Sequence, residues 1–360
     1  RAARRSRERR PIRGCCTAWT GDPLAGAPVS VIIPNYDGDA MLARCLDSLL
    51  SQTPAPGEII VVDNGSKDGS RETVRRSYPS VKLIELESNF GFAKACNVGA
   101  ASAAAPLLAF VNNDCIALPG WLDALIGAME DPGGRVGAVS SSMRNARNAA
   151  LIDSAGGEID HLGFMRDRGA GKSAALYSSR EEIPFPCGGA CLVLRSALAD
   201  GGSVFWETLE SYVEDVDLGF RLFAAGWRTL FEPSAVILHE HSATGSRDPL
   251  GKETRCVRNR LLVLRRHLPA ATFRSLLPVI LAAQAAWAVS ALSSARIVQL
   301  RALCRGTLDG LTMRICRYPA PRGHLLMARF ATPFERGPLR RAASRAASEV
   351  VRRAAMRNGE

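Results

Sequence analysis

Aromatic residues are scarce, 6% of the 360 residues, and no helix-turn-helix, RNP or zinc signature accompanies them, so nucleic acid is not an expected partner. The ten cysteines include no C-x-x-C pair and no Cys/His spacing suited to structural zinc. Cys15-Cys16 and Cys187/Cys191 are the only close pairs, and reduced, packed thiols are expected. No G-x-G-x-x-G follows the first predicted strand, which argues against a nicotinamide or flavin oxidoreductase. No apolar stretch follows the Arg-rich start, so the chain is not expected to open with a signal peptide. Mean hydropathy near zero excludes a protein of many membrane spans. With 47% hydrophobic and 22% charged residues, a disordered, collagen-like or disulfide-scaffold chain is excluded as well. No internal repeat is present.

Acidic residues are almost missing from one region. Residues 255–334 hold 13 Arg and a single acid, Asp309. Residues 1–13 carry net +6, residues 14–254 net −11 and residues 255–360 net +16, within a total of +11. An acidic body followed by a basic third implies that the basic part meets a polyanion, here an anionic membrane surface. Residues 275–295 contain no charge and are flanked by Arg274 and Arg296. That stretch is long enough for a bilayer core of ~30 Å. Its many alanines, Pro278, Gln284 and serines favour a membrane-surface helix over a full span, with a helix packed on the body as the bland alternative.

What is present is a rhythm of buried strands and helices. VSVIIP (29–34), EIIVVD (58–63), VKLIEL (81–86) and PLLAFVNND (106–114) read as strands. Helices are expected over 41–52, from about 70 to Arg76, and over 91–105. The alternation predicts an α/β layered sheet, mostly parallel. Further on, VGAVSSS, ACLVLR and RTLFEPSAVILH read as strands, 144–180 as loop and hairpin, and VDLGFRLFAAG as a helix.

Parallel α/β sheets bind ligands beyond the C-terminal ends of their strands. Polar residues gather at those places. Asn35, Tyr36 and Asp37 follow the first strand, and Asp63, Asn64, Gly65 and Ser66 the second. Asn89, Gly91, Lys94 and Asn97 follow the third, and Asn112, Asn113 and Asp114 the fourth. Singly, each has a bland reading: a turn at Asp63-Asn64-Gly65, a solvated helix charge at Lys94, a helix cap at 112–114. Four strand ends in succession carrying such residues point instead to a ligand site.

VSVIIPNYDG (29–38), IIVVDNGSKDGS (59–70), NFGFAKACNVG (89–99), AFVNND (109–114), CGGACLVLRS (187–196), YVEDVDLGFRLFAAGW (212–227) and HEHSAT (239–244) resemble the motifs of the family 2 glycosyltransferases, in order and spacing. The chain is most similar to their bacterial rhamnosyltransferase-like branch over about residues 28–265. The resemblance implies a GT-A fold, a Rossmann-like mixed sheet here followed by a basic helical extension. It implies inverting transfer of a sugar from a nucleotide diphosphate to an acceptor hydroxyl, with a divalent metal, Mg²⁺ or Mn²⁺. The expected organisation is a basic disordered segment over 1–27, the glycosyltransferase domain over 28–254, a membrane-associated helical segment over 255–315 and a basic tail over 316–360.

Chemistry agrees with that reading. A diphosphate approaching a body of net −11 needs a cation, and Asp114 at a strand end suits one. Here the family's D-x-D reads Asn112-Asn113-Asp114, and the wider fold implies a C-terminal histidine ligand, His239 first and His241 second. Inversion needs one base opposite the leaving group. The family's E-D pair maps onto Glu214-Asp215, with Asp215 as base and the helix dipole expected to keep it deprotonated. Asp217 is expected as a helix or acceptor-side contact. Asp63 is expected to accept from the nucleobase or ribose, with Pro34, Asn35 and Asp37 in the same pocket. Gly91 admits the ligand to the backbone, and Lys94 reaches phosphate. The expected acceptor is a lipid-linked or cell-envelope glycan intermediate at the cytoplasmic face of the plasma membrane. A non-catalytic scaffold remains the alternative, separated from an enzyme by whether Asp114 and Asp215 converge on one cleft.

Overall fold

The computed structural model describes residues 28–198, 203–240, 248–294, 296–319, 321–332 and 338–356. The expected disordered segment 1–27 and His241 lie outside them. The elements are β1 (Val29–Asn35), α1 (Asp39–Leu50), β2 (Glu58–Asp63), α2 (Ser70–Ser77), β3 (Lys82–Glu85), α3 (Phe92–Ser102), β4 (Leu107–Val111), β5 (Cys115–Ala117), α4 (Trp121–Met129), β6 (Val136–Asn145), β7 (Asn148–Ser154), β8 (Gly157–Ile159), β9 (Met165–Asp167), β10 (Glu181–Glu182), β11 (Ala190–Leu194), α5 (Glu214–Ala224), β12 (Arg228–His239), α6 (Pro249–His267), α7 (Ala270–Ser293), α8 (Ile297–Thr312), α9 (Gly323–Phe330) and α10 (Pro338–Met356).

The main sheet runs β10-β12-β6-β11-β4-β1-β2-β3, with β5 added to β12 and β7 to β6. The apolar runs of β1, β2 and β4 are buried along almost their whole length, as strands covered by helices on both faces must be. They and β3 pair in parallel. The expectation of a mostly parallel sheet holds for this half. In the other half β11 lies antiparallel between β4 and β6, while β12 runs parallel to β6. The result is a mixed sheet. α3 ends at Ser102, three residues earlier than its small-residue run suggests, because Ala103 is already extended.

Two large cores and two small ones hold the described residues together. The first surrounds the main sheet, with Trp121, Phe110, Phe205, Ile32 and Leu107 fully enclosed. The second joins Ile159, Leu162, Phe185, Val216 and Phe220 of the body to Leu261–Leu264 of α6, Phe273, Leu276 and Ile280 of α7, and Leu326 and Met327 of α9. Each fully buried Leu, Ile or Phe contributes about 1.5–3 kcal/mol, so this seam binds the helical part firmly to the body. The expected division between 254 and 255 falls inside α6. Asp217 reinforces the seam: its buried carboxylate meets Arg221 Nε at 2.8 Å and His267 Nε2 at 2.8 Å. It is no acceptor-side contact. It fastens α5 to α6, and although burial alone raises its pKa, the Arg221 charge and the His267 hydrogen bond hold it well below the usual carboxylate range.

Candidate active site

At the C-terminal ends of the parallel strands, asparagines bolt one strand to the next. Asn35 Nδ2 donates to Asp63 Oδ2 and to Ser66 Oγ, each at 3.2 Å, while its Oδ1 accepts from Asn113 Nδ2 at 2.6 Å. One amide thus ties together the ends of β1, β2 and β4. Asn64 does the same for the next crossing: its Nδ2 donates to Asn89 Oδ1 at 3.0 Å and its Oδ1 accepts from the Phe90 N–H at 3.0 Å. A Cβ on Gly65, at φ +83°, would sit 2.6 Å from the Ser88 backbone, so glycine is what lets these loops close.

These ends form the wall of a cavity of about 370 Å³. Pro34, Asn35, Tyr36, Asn64 and Asn89 line one side, Asn112, Asn113, Asp114 and His239 the floor, and Glu214 and Asp215 the far side. Asp114 and Asp215 therefore face one cleft. Seven other expected residues do not line it. Asp63 is enclosed, its Oδ1 accepting from the Ser66 N–H and from Arg71 Nε at 2.6 Å, and Ser66 Oγ in turn accepts from the Asp37 N–H. Asp37 Oδ1 accepts from the Lys67 N–H at 2.7 Å. Lys94 pairs with Glu207 at 3.2 Å, and Asn97 clamps the Phe205 backbone through its N–H and carbonyl. Gly91, at φ +86°, admits the Glu210 carbonyl, 2.7 Å from where a Cβ would stand.

Asp114 and His239 meet because β5 pairs with β12 in the register Cys115↔His239. His239 Nε2 lies 3.3 Å from Asp114 Oδ2, and its Nδ1 is 2.5 Å from Asp153 Oδ2 on β7. Without a cation, burial opposes the imidazolium, but the two carboxylates outweigh it and push the His239 pKa up to about 10, so a cation bound at Nε2 would replace the proton there. Ligand atoms of Asp114, Cys115 and His239 lie within 4.8 Å of one another. The Cys115 thiol is buried, which pushes its pKa up, so the donors suited to a hard divalent cation are Asp114 and His239. A histidine facing a carboxylate with one nitrogen and held by a second carboxylate through the other is the arrangement metal-ligating histidines adopt. The site fits Mg²⁺ or Mn²⁺.

The loop before Asp215 is held in an unfavourable backbone. Glu210, Tyr212 and Val213 adopt φ of 61°, 72° and 74°, a conformation that costs about 1–3 kcal/mol at a non-glycine residue and most at a β-branched one. Asn259 of α6, fully buried, holds it there. Its Nδ2 lies 2.8 Å from the Leu209 carbonyl, 3.1 Å from that of Ser211 and 2.8 Å from that of Tyr212. The strain aims Asp215 into the cleft, where Oδ2 accepts from the Gly188 N–H at 3.1 Å and Oδ1 from the Val216 N–H at 2.8 Å. A Cβ on Gly189 would stand 2.8 Å from Asn112 Nδ2, so the glycine pair keeps this crossing tight.

Burial raises the Asp215 pKa, assisted by the Asp167 charge and opposed by the Gly188 N–H. The helix N-terminus does not depress it as expected, because desolvation is the larger effect. Glu214 is raised well above its ordinary value, by burial and then by Asp215, and its Oε2 has no hydrogen-bond partner among the described residues. Burial and mutual repulsion therefore favour protonation within the pair, more strongly at Glu214 than at Asp215.

A second cavity, about 460 Å³, adjoins the first across a wall that includes Glu214, Asp215 and His239. Met143, Met165, Phe185 and Pro186 give it apolar plates, and Asp153, Ser154, Arg166 and Asp167 give it polar ones. Lys252 lines both cavities and makes no ion pair among the described residues; its Nζ lies 5.5 Å from the Tyr212 ring centre. Strand-end reasoning misses Asp153, Lys252 and Tyr212 because they come from the antiparallel half and from α6. Gly188 and Gly189 sit in the motif CGGACLVLRS, whose glycines were the available signal.

The model of the family described as Glycosyl transferase family 2 matches residues 30–202, and that of Glycosyl transferase family group 2 matches residues 155–312. An N-acetylglucosaminyl-diphospho-decaprenol L-rhamnosyltransferase of Mycobacterium tuberculosis is 32% identical over 242 residues, 61% of this chain and 78% of the relative. The O-antigen biosynthesis protein RfbC of Myxococcus xanthus is 27% identical over 237 residues, 63% of this chain and 18% of its own length. Among solved structures, GalNAc-T7 with UDP, GalNAc and Mn²⁺ superposes with a TM-score of 0.55 at 17% identity, over 71% of this chain and 51% of that one. The mannosyltransferase PcManGT from Pyrobaculum calidifontis, in complex with GDP-Man and Mn²⁺, gives 0.50 at 19% identity, over 79% and 87%. Both likenesses are of fold.

Proposed function

The chain belongs to the family 2 glycosyltransferases, hexosyltransferases that use nucleotide-sugar donors, and on that premise we propose that it glycosylates a lipid-linked intermediate with inversion. The relative that acts on N-acetylglucosaminyl-diphospho-decaprenol supports a polyprenyl-diphosphate sugar as acceptor and a deoxyhexose such as L-rhamnose as the transferred group. The observation that carries the proposal is the position of Asp215 in the wall common to two cavities.

In this reading the donor occupies the first cavity. Its nucleoside lies along Pro34, Asn35, Tyr36 and Asn64, a side that Asp63 stiffens by holding Asn35, and its diphosphate lies towards Asp114, His239 and Lys252. Asp114 and His239 would hold a divalent cation, which would supply charge neutralisation for the departing diphosphate. Asp153 keeps the His239 ring turned to Asp114, and Lys252 adds a second positive charge at the rim. The acceptor sugar enters the second cavity, its apolar face on Phe185 and Pro186 and its hydroxyls towards Asp167 and Arg166. Asp215 takes the hydroxyl proton as the oxygen bonds to the anomeric carbon, and the bond from that carbon to the diphosphate oxygen breaks on the opposite side. A base whose pKa is raised towards neutral is the stronger proton acceptor, which suits Asp215 to this step. Glu214, whose pKa burial also raises, lies beside Asp215 with one carboxyl oxygen lacking a hydrogen-bond partner among the described residues, free to meet a substrate group.

The basic third of the chain supports work at the anionic cytoplasmic leaflet, attached peripherally. The test is transfer by purified protein from a panel of UDP-, GDP- and dTDP-sugars to a short-chain polyprenyl-diphosphate sugar in Mn²⁺. One donor should give product and most others none. Donor consumption without transfer to any lipid-linked acceptor would overturn the proposed acceptor.

A further inference from the structure

α8 lies close against α6. A Cβ on Gly306 would stand 2.6 Å from the Thr254 carbonyl, and one on Gly310 would stand 2.9 Å from the Arg258 carbonyl. Residue numbers rise together along this contact, so the two helices run parallel, with α7 returning between them in sequence. Ile297 is nine residues before Gly306, about 13 Å along the helix axis at 1.5 Å per residue. Measured from the level of Lys252, two residues before Thr254, the start of α8 extends about 10 Å further, past the N-terminus of α6. That is the end of α6 at which Lys252 lines both cavities. The turn joining α7 to α8 is closed there by Arg296 N–H donating to the Ala291 carbonyl at 2.8 Å.

This turn carries large apolar side chains in solvent. Val289 is 70% exposed, Leu292 66%, Ile297 60% and Val298 43%. Exposed Arg296 stands among them and exposed Arg301 follows one turn along α8. The inner face of α7 is committed to the second core through Phe273, Leu276 and Ile280, so that face is not available to lipid. α7 is long and apolar enough to cross a membrane by length and composition, with a mean hydropathy of 1.7. Only 22% of its most apolar stretch is buried, so its outer face stays open beside the turn.

We propose that the α7–α8 turn is the surface by which the enzyme enters an anionic leaflet. Val289, Leu292, Ile297 and Val298 insert between headgroups, and Arg296 and Arg301 meet the lipid phosphates. Charge selects this occupant: Arg296 and Arg301 are exposed at the turn, and no acidic residue occurs in the sequence between Glu253 and Asp309, which disfavours a second copy of the same surface and attracts anionic lipid. The inference rests on the reading that the protein works at a membrane, and it adds orientation. Because the turn and the shared rim lie at the same end of α6, docking brings the cavities to the leaflet that holds a lipid-linked acceptor.

The experiment is co-sedimentation of the full chain with vesicles of phosphatidylcholine and with vesicles containing about one-third phosphatidylglycerol, at low and high salt. Wild type should bind the anionic vesicles and be largely released by salt. The double variant Leu292→Asp/Ile297→Asp should lose at least tenfold in vesicle partition. Leu176→Asp, at an exposed apolar position 71% accessible on the body, should bind as wild type. Unchanged thermal stabilisation by a nucleoside diphosphate would show that the double variant is folded. If it binds vesicles as well as wild type, the turn is not the docking surface, although the membrane reading survives. If wild type binds no vesicle at low salt, both fail. Salt-resistant retention released only by detergent, or a dimer in light scattering that the double variant dissociates, would also overturn the proposal.

Discussion

The two halves of the cleft are built by different means. The donor-side half rests on four parallel strands whose ends are cross-braced by asparagine amides, with Asn35 alone linking Asp63, Ser66 and Asn113. The half carrying Asp215 rests on antiparallel pairs, a loop in left-handed backbone and a helix from beyond the body, with Asn259 holding three carbonyls of that loop. The first half is held by hydrogen bonds between the ends of strands that belong to one sheet. The second is held by a side chain from α6, outside that sheet. On the proposed reading, the donor sits on the cross-braced half and the base sits where strain is maintained by tertiary structure.

Substitutions should separate the halves. Asp215→Asn should lower kcat by about 10²–10⁴ while nucleoside diphosphate affinity, measured by calorimetry, changes little. Asp217→Ala should leave buried His267 and half-buried Arg221 without their carboxylate, costing about 3–5 kcal/mol and appearing as a large fall in Tm. Because the folded Asp217 pKa is depressed, its stabilisation is present above the ordinary aspartate pKa and lost as pH falls through the folded value. Wild type should therefore lose stability to acid where the variant does not. Asp153→Asn should weaken Mn²⁺ binding about 10–100-fold without removing a ligand, since it loosens only the His239 ring.

Smaller effects sharpen the contrast. Asn259→Leu should lower kcat more than it raises donor KM, because it frees the 209–213 loop and leaves the asparagine bolts of the strand ends intact. Equal damage to both constants would mean that the two halves are not independent. Asp167→Asn should move the acidic limb of the kcat/KM profile to lower pH. The wild-type limb itself should lie above the ordinary carboxylate range, because burial raises Asp215 and the Asp167 charge adds to it.

The donor-side half was legible in the sequence because local rules govern it. Short apolar β-branched runs make buried parallel strands, and the polar residues at the end of each run line or stiffen the cleft. Asn112, Asn113 and Asp114 could be located by counting along one strand. The same rule overreached at Lys94 and Asn97, which come after β3 but turn along α3 to Glu207 and Phe205, away from the cavity. Asp153, Lys252 and Asn259 were not legible. Each reaches the site through a partner distant in sequence: the β6–β7 hairpin, the rim at Tyr212 and the loop at 209–213. The division at 254/255 was drawn from a change of charge, and charge says nothing about the apolar seam that continues from Val216 to Leu264. The raised Asp215 pKa was missed because helix position is visible in sequence and desolvation is not.

If Asp215 stands alone as base in a wall between donor and acceptor, attack and departure must occur on opposite faces of the sugar. Proton NMR of the product formed from a donor of known anomeric configuration tests this directly. Every transferred sugar should carry the inverted configuration from the first turnover. Retention of the donor's configuration would contradict the role of Asp215 and the placing of the two substrates on either side of it.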